Sequence, residues 1–231
     1  MSVDRRITLG GIIERKERWG LTWRGWALVV ALVAVIGDCF VLTVYRFLAP
    51  MERVPAEVLV IEGWSPPHTM RQAASEFLHG GYQRVVLIRP VLEAGDQYES
   101  GRYSGDFMTR MLLADGVPKE KLSTLFPDVT RKDRTFHSAL TVKQWLKEQG
   151  MDIKSLDVAT LGPHSRRSRL MYEKAFGAGV EVGVIALDDH EYDPSHWWRT
   201  SEGVREVIGE SIAYLYARVL FHPSNLAKSG Q

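Results

Sequence analysis

Between Trp26 and Phe47 the chain reads WALVVALVAVIGDCFVLTVYRF, 22 residues in which Asp38 and Arg46 are the only charged side chains. A helix of about 20 apolar residues crosses a bilayer, so this stretch is expected to be a membrane anchor spanning 26–48. Trp26 at one end, and Tyr45 with Arg46 at the other, are the aromatic and snorkelling residues that settle at lipid interfaces. Asp38 is costly in hydrocarbon, and its place in the outer third of the segment is where a single carboxylate is tolerated. The preceding 25 residues and the lack of an A-x-A site argue against a cleaved signal peptide. Ile36-Gly37-Asp38-Cys39 has the outline of a lipoprotein box, but Asp38 stands where such boxes carry a small residue, so lipidation is not expected.

The flanks orient the anchor. Arg5, Arg6, Arg15, Lys16, Arg18 and Arg24 precede it, whereas Arg46 and Arg53 are the cations on the far side. The positive-inside rule then leaves residues 1–25 in the cytoplasm, with WGLTWRGW (Trp19–Trp26) suited to the membrane surface, and puts the rest of the chain outside. A net charge of +1 supplies no global attraction to nucleic acid. The single cysteine, Cys39, excludes an intramolecular disulfide and a cysteine-rich zinc site.

Beyond Pro50, short apolar runs alternate with amphipathic stretches. The runs are EVLVIEG (57–63), QRVVLIR (83–89), KLSTLF (121–126), SLDVATLG (155–162) and VEVGVIALDD (180–189). Helical spacing falls near 68–79, 102–115, 135–149, 165–176 and 195–220. This alternation predicts an α/β domain over 53–222, a mostly parallel five-stranded sheet with helices on both faces, and a flexible tail over 223–231. In the last helix, opened by Trp197 and Trp198, the positions Val204, Ile208, Ser211, Leu215 and Val219 keep helical spacing and are expected in the core.

Ligands of such sheets sit beyond the carboxyl ends of the strands. There the sequence places Glu62, Gly63, Trp64 and Ser65, then Arg71; Arg89 and Pro90; Arg131, Lys132, Arg134 and Thr135; and His164, Arg166 and Arg167. Helix N-termini favour anions and arginine presents a planar fork of donors to phosphate or carboxylate, so together these residues predict an anion pocket. Singly, each has a structural reading: Ser165 or His164 as a helix start, Thr135 as an N-cap. The run Asp188, Asp189, His190, Glu191, Asp193 has the residue types for a divalent cation, but Asp193-Pro194-Ser195 reads as an N-cap with proline at the first helical position, and no metal site is expected. No G-x-S-x-G, G-x-G-x-x-G or P-loop pattern occurs, so neither a nucleophilic hydrolase nor a dinucleotide site is indicated.

Several pieces then follow in order: a strand ending in Gly63, Arg71 with the small Ala74 three positions on, the G-V-P segment in ADGVPKEKL (Ala114–Leu122), RTFHSA (Arg134–Ala139), and GPHSRRS (Gly162–Ser168) with His164 and Arg167 on an H-x-x-R motif. From about Glu57 to Phe221 the chain thereby resembles the bacterial family typified by YdcF, SanA and ElyC. It departs from that pattern at Arg89-Pro90-Val91, where members often have Ser-Gly-Gly, and at Arg134 and Ser138, which replace asparagines. Asp106 is the nearest counterpart of an acidic residue before G-V-P. The resemblance implies a Rossmann-like domain and a role in envelope biogenesis: an inner-membrane protein whose extracytoplasmic domain binds, and as an enzyme would process, a lipid-linked phosphorylated precursor of peptidoglycan or polysaccharide. Gly63, Trp64, Arg71, Arg89, Arg134, Thr135, His164 and Arg167 are the expected ligand residues, with Arg71, Arg134 and Arg167 on the anion and His164 as general acid; the cofactor is left open. Two alternatives stand beside it: a non-catalytic scaffold for envelope-assembly proteins, and a domain binding a nucleotide or S-adenosylmethionine.

Overall fold

The computed structural model describes residues 7–8, 13–14, 21–63, 67–89, 105–127 and 132–223. By contacts the chain divides into two compact units, residues 1–41 and 42–231. In the first, β1 (Ile7–Thr8) and β2 (Ile13–Glu14) pair antiparallel. The helix α1 (Trp23–Leu48) starts there and is long and apolar enough to cross a membrane. The core helix of a soluble protein would be buried, yet Leu28, Val30, Leu32 and Val35 are all more than half exposed. At about 1.5 Å per residue, its 26 residues exceed a hydrocarbon core of about 30 Å. The surplus is the last turn, where Val44 and Leu48 are buried within the second unit.

That unit is an α/β sandwich of six strands. After α1 come β3 (Met51–Glu52), β4 (Val58–Glu62), α2 (Pro67–Gly80), β5 (Arg84–Ile88), α3 (Gly105–Ala114), β6 (Leu122–Leu125), α4 (Arg134–Glu148), β7 (Ser155–Leu161), α5 (Ser165–Phe176), β8 (Glu181–Leu187) and α6 (Ser201–Leu215). The sheet order is β3-β8-β7-β4-β5-β6, with β4 to β8 parallel and β3 antiparallel to β8. The parallel sheet is thus as expected, but the sheet has six strands, not five. Met51–Glu52 is too short to give a period of its own and becomes a strand only because the edge of β8 is there to pair with.

Both faces of the sheet are covered, which explains the unbroken apolar runs. Val58, Val60, Val86, Ile88, Leu156 and Val158 pack under α4 and α5, whereas Leu59, Ile61, Val85 and Leu87 pack under α2 and α3. The segment after α1 is fastened to the sheet and to α2 by polar contacts. Asp157, fully buried in β7, accepts from Tyr82 Oη at 2.7 Å and from Val54 N at 3.1 Å. Ser155 Oγ donates to Pro55 O at 2.6 Å, and Arg53 grips Glu76 through Nε and Nη2 at 2.5 and 2.8 Å.

The C-terminal region departs from the sequence reading. Pro194–Arg199 is a 3-10 turn capped by Asp193, as its side chain accepts from Ser195 N at 2.8 Å. His196 leaves helical geometry, and Thr200, extended, caps a separate α6. One long helix over 195–220 is therefore two pieces, followed by a π-turn over Tyr216–Leu220. Of the expected core positions, Val204, Leu215 and Val219 are 40, 61 and 63% exposed and Ile208 and Ser211 are partly buried, while Gly203, Val207 and Ala217 are buried. Both sets have helical period, and which one faces inward was decided by the partner. The expected tail beyond 223, and Trp19, lie outside the described residues.

Gly183 in β8 leaves room for Asp157: a Cβ there would lie 1.8 Å from Asp157 Oδ1 and 2.9 Å from Glu52 O and Val54 N. Gly183→Ala should cost about 2–3 kcal/mol in urea unfolding. Gly179→Ala, which meets nothing within 4 Å, should leave the midpoint within about 0.5 kcal/mol of the parent.

Candidate functional site

The strand order puts the switch point between β4 and β7, since the chain leaves β4 towards β5 on one side and returns to β7 on the other. At that crevice β4 ends in Glu62 and Gly63. Glu62 shares the parity of Val58 and Val60 and so points to the α4/α5 face. A Cβ on Gly63 would sit 2.1 Å from Ile88 O, so only glycine lets β4 and β5 end so close together.

Glu62 is 2% exposed, and a carboxylate so placed must be compensated. Ser168 Oγ, from the second turn of α5, donates to Glu62 Oε2 at 2.6 Å, and Thr160 also donates. His164 Nε2 lies 3.4 Å from the same oxygen. On its other side, His164 Nδ1 donates to Glu210 Oε1 at 2.9 Å. Arg167 closes the set, donating from Nε to Glu210 Oε2 at 2.8 Å, from Nη2 to Oε1 at 3.0 Å, and from Nη1 to Thr135 Oγ1 at 3.3 Å. Arg167 Nη2 is also 2.8 Å from His164 Nδ1. With both nitrogens directed at Glu210 Oε1, this is a contact of two donors sharing one acceptor.

The protonation states follow. Burial and the Arg167 charge oppose a charged His164, but Glu210, with hydrogen bonds to Glu210 and Glu62, outweighs them and pushes the imidazole up to about 9. Burial likewise opposes ionised Glu210, and the His164 charge with the bonds from His164 and Arg167 pulls it down to about 2. Glu62 is held below the usual carboxylate range against its burial, chiefly by His164. At neutral pH the cluster is two carboxylates, one imidazolium and one guanidinium, with no net charge.

The last turn of α1, which belongs to the second unit, meets this edge of the sheet. Gly162, which starts the 3-10 turn Gly162–His164, has φ +32, and its Cβ position lies 3.0 Å from Tyr45 Oη of α1. Arg166 turns away from Arg167, donates from Nε to Phe47 O and stacks 4.2 Å from the Phe47 ring. Phe47 in turn meets Tyr214 edge to face at 5.4 Å, and Tyr45 meets Tyr192 at 6.3 Å.

Of the expected site residues, the structure gathers His164, Arg167, Thr135 and Gly63 here. Thr135 is not the N-cap: Asp133 is, with φ 51, and Thr135 is buried in the first turn of α4. Arg134 begins α4, beside Thr135, with its side chain exposed. Arg71 is not part of the cluster: it stands on α2, on the other face, 81% exposed and 3.9 Å from Asp115. Arg89 follows β5 and lies 4.8 Å from the Phe126 ring. Trp64, Ser65, Pro90 and Arg131 lie outside the described residues. The run Asp188–Asp193 is used structurally: the Asp188 backbone N donates to Gln72 Oε1 of α2 at 2.9 Å, and within the turn Asp189 Oδ1 accepts from Glu191 N at 2.9 Å. Among the described residues no group of three or more His, Cys, Asp or Glu side chains is arranged to hold a metal.

Sequence reasoning missed Glu210, the internal anion, and Ser168. The available signal was Glu202, Glu206 and Glu210 at four-residue spacing, an acidic ridge along one side of a helix. Glu206 lies on that ridge too, where burial and the Asp189 charge push its carboxyl up to about 7. No protein-family model matches the chain, and no curated protein matches it.

A raised imidazole stabilises the fold fully below its ordinary pKa near 6.5 and loses that contribution as pH rises through about 9. Glu206 titrates below this window, so the melting temperature should fall by several degrees between about pH 7.5 and 9, and His164→Gln should flatten that limb. Arg167→Ala, which leaves Glu210 half-paired, should cost about 2–4 kcal/mol in chemical unfolding.

Proposed function

We propose that this is a membrane-anchored protein of bacterial envelope biogenesis whose α/β domain binds a lipid-linked phosphorylated precursor at the β4/β7 crevice. The observation that carries the reading is the position of the crevice: the last turn of the apolar helix packs on the carboxyl edge of the sheet, with Tyr45 against Gly162. A headgroup at the bilayer surface is thereby brought to the cluster. Two helix N-termini, those of α4 and α5, converge beside Arg167 and add positive potential there. Charged at neutral pH, His164 is a donor to phosphate and, if the protein is an enzyme, its general acid. The resemblance to the YdcF, SanA and ElyC family supports the envelope assignment and an extracytoplasmic domain.

A specific observation favours a second reading. Glu210 already holds the fork of Arg167, as it would in a purely structural cluster within a scaffold for envelope-assembly proteins. Under the first reading Glu210 is a built-in competitor that a ligand phosphate displaces. Undecaprenyl phosphate binding to the full chain in detergent, measured by native mass spectrometry or thermal shift, separates the two. On the ligand reading the parent binds, Arg167→Ala loses at least tenfold in affinity, and Glu210→Gln gains several-fold because the competitor is gone. At a ligand concentration about 100 times Kd, stabilisation of about 2.7 kcal/mol is expected. Absence of binding by parent and Glu210→Gln alike would sink the ligand reading and leave the scaffold.

A further inference from the structure

The side chains of α6 fall into two opposed sets. Glu202, Glu206 and Glu210 run along one flank, with Glu210 bound into the cluster and Glu206 accepting from Tyr192 at 3.2 Å. Gly203, Val207 and Ala217 beside them are buried. Away from that flank, Ile212 and Leu215 of α6 and Tyr216, Val219 and Leu220 of the π-turn after it are exposed at 64, 61, 46, 63 and 64%. The exposed charges bordering them are basic, Arg205 and Arg218. Isolated surface hydrophobes are ordinary, but five neighbours on one helix form an apolar patch that asks for a partner.

We propose that the second half of α6 and the turn after it lie on the bilayer surface, apolar side chains in the lipid interface and the two arginines at anionic headgroups. Three observations commit the patch to lipid. The patch adjoins the end of the apolar helix: Tyr214, on the same helix, packs on Phe47 at 5.4 Å, and Phe47 is in the last turn of α1. Its charges are partly sorted: Glu206 and Glu210 bond into the domain while Arg205 and Arg218 are exposed, the pattern of a helix lying in an anionic interface. The aromatic Tyr216 lies among the apolar residues, and amphipathic rings favour that boundary. Because Glu210 and the patch share one helix, contact of the patch with lipid also fixes the orientation of the crevice. The inference rests on α1 being a membrane span and is independent of what the crevice binds.

The test uses the full chain with Cys39→Ser and Leu215→Cys, labelled with the fluorophore NBD and reconstituted in phosphatidylethanolamine–phosphatidylglycerol liposomes with or without doxyl-labelled lipid. Blue-shifted emission and at least twofold quenching by the doxyl lipid are expected. Val219→Cys should behave the same, and Lys147→Cys on exposed α4 should stay water-like and unquenched. Water-like emission at 215 and 219 would overturn the inference. So would emission shielded from water but unquenched by lipid, with cross-linked pairs showing that a second copy covers the patch. Flotation after a carbonate wash tests the anchor separately: a chain that fails to float loses the membrane premise itself, whereas one that floats without quenching loses only the role of α6.

Discussion

A carboxylate buried at the end of the central strand, Glu62, sets the terms for everything around it. It points into the α4/α5 face because strand parity sends it where Val58 and Val60 go, and an ionised group there has to be paired. Ser168 and Thr160 supply hydroxyls and His164 supplies charge. The imidazole, buried and next to Arg167, holds its proton because Glu210 and Glu62 face it, and Glu210 is tolerated because the His164 charge and the Arg167 fork meet it. Each charge is there because of the next. The last helix must dock where it can deliver Glu210, so the polar cluster specifies the position of α6 as much as the apolar core does.

The same geometry relates the last turn of α1 to the crevice. Arg166 and Arg167 are neighbours, yet successive helical residues point about 100° apart. Arg167 closes the cluster while Arg166 clasps the last turn of the apolar helix. Tyr45 fills the space over Gly162 that a side chain would otherwise occupy. The last turn of α1 and the crevice are thus built together within the second unit.

Much of this architecture is visible in the residues taken alone. The apolar runs become strands because both faces of the sheet are covered, and the alternation with helices leaves a parallel sheet as the economical solution. Asp193-Pro194-Ser195 caps a helical turn as its composition indicates. His164 and Arg167 do meet at the carboxyl edge of the sheet. Arg71 and Arg89, equally plausible by position in the chain, go elsewhere, since lying after a strand says nothing about which face of the sheet the next helix covers.

Local patterns determined the apolar span, the order of strands and helices and the turn chemistry, because hydrophobic period, capping and bilayer thickness act over a few residues at a time. Only the tertiary structure decided that Met51–Glu52 would join the sheet, that Glu210 would be the anion Arg167 holds, and that the apolar face of α6 would turn outward. Each of these depends on a partner distant in the chain, and a helical period specifies two opposed faces without saying which of them the rest of the molecule will cover.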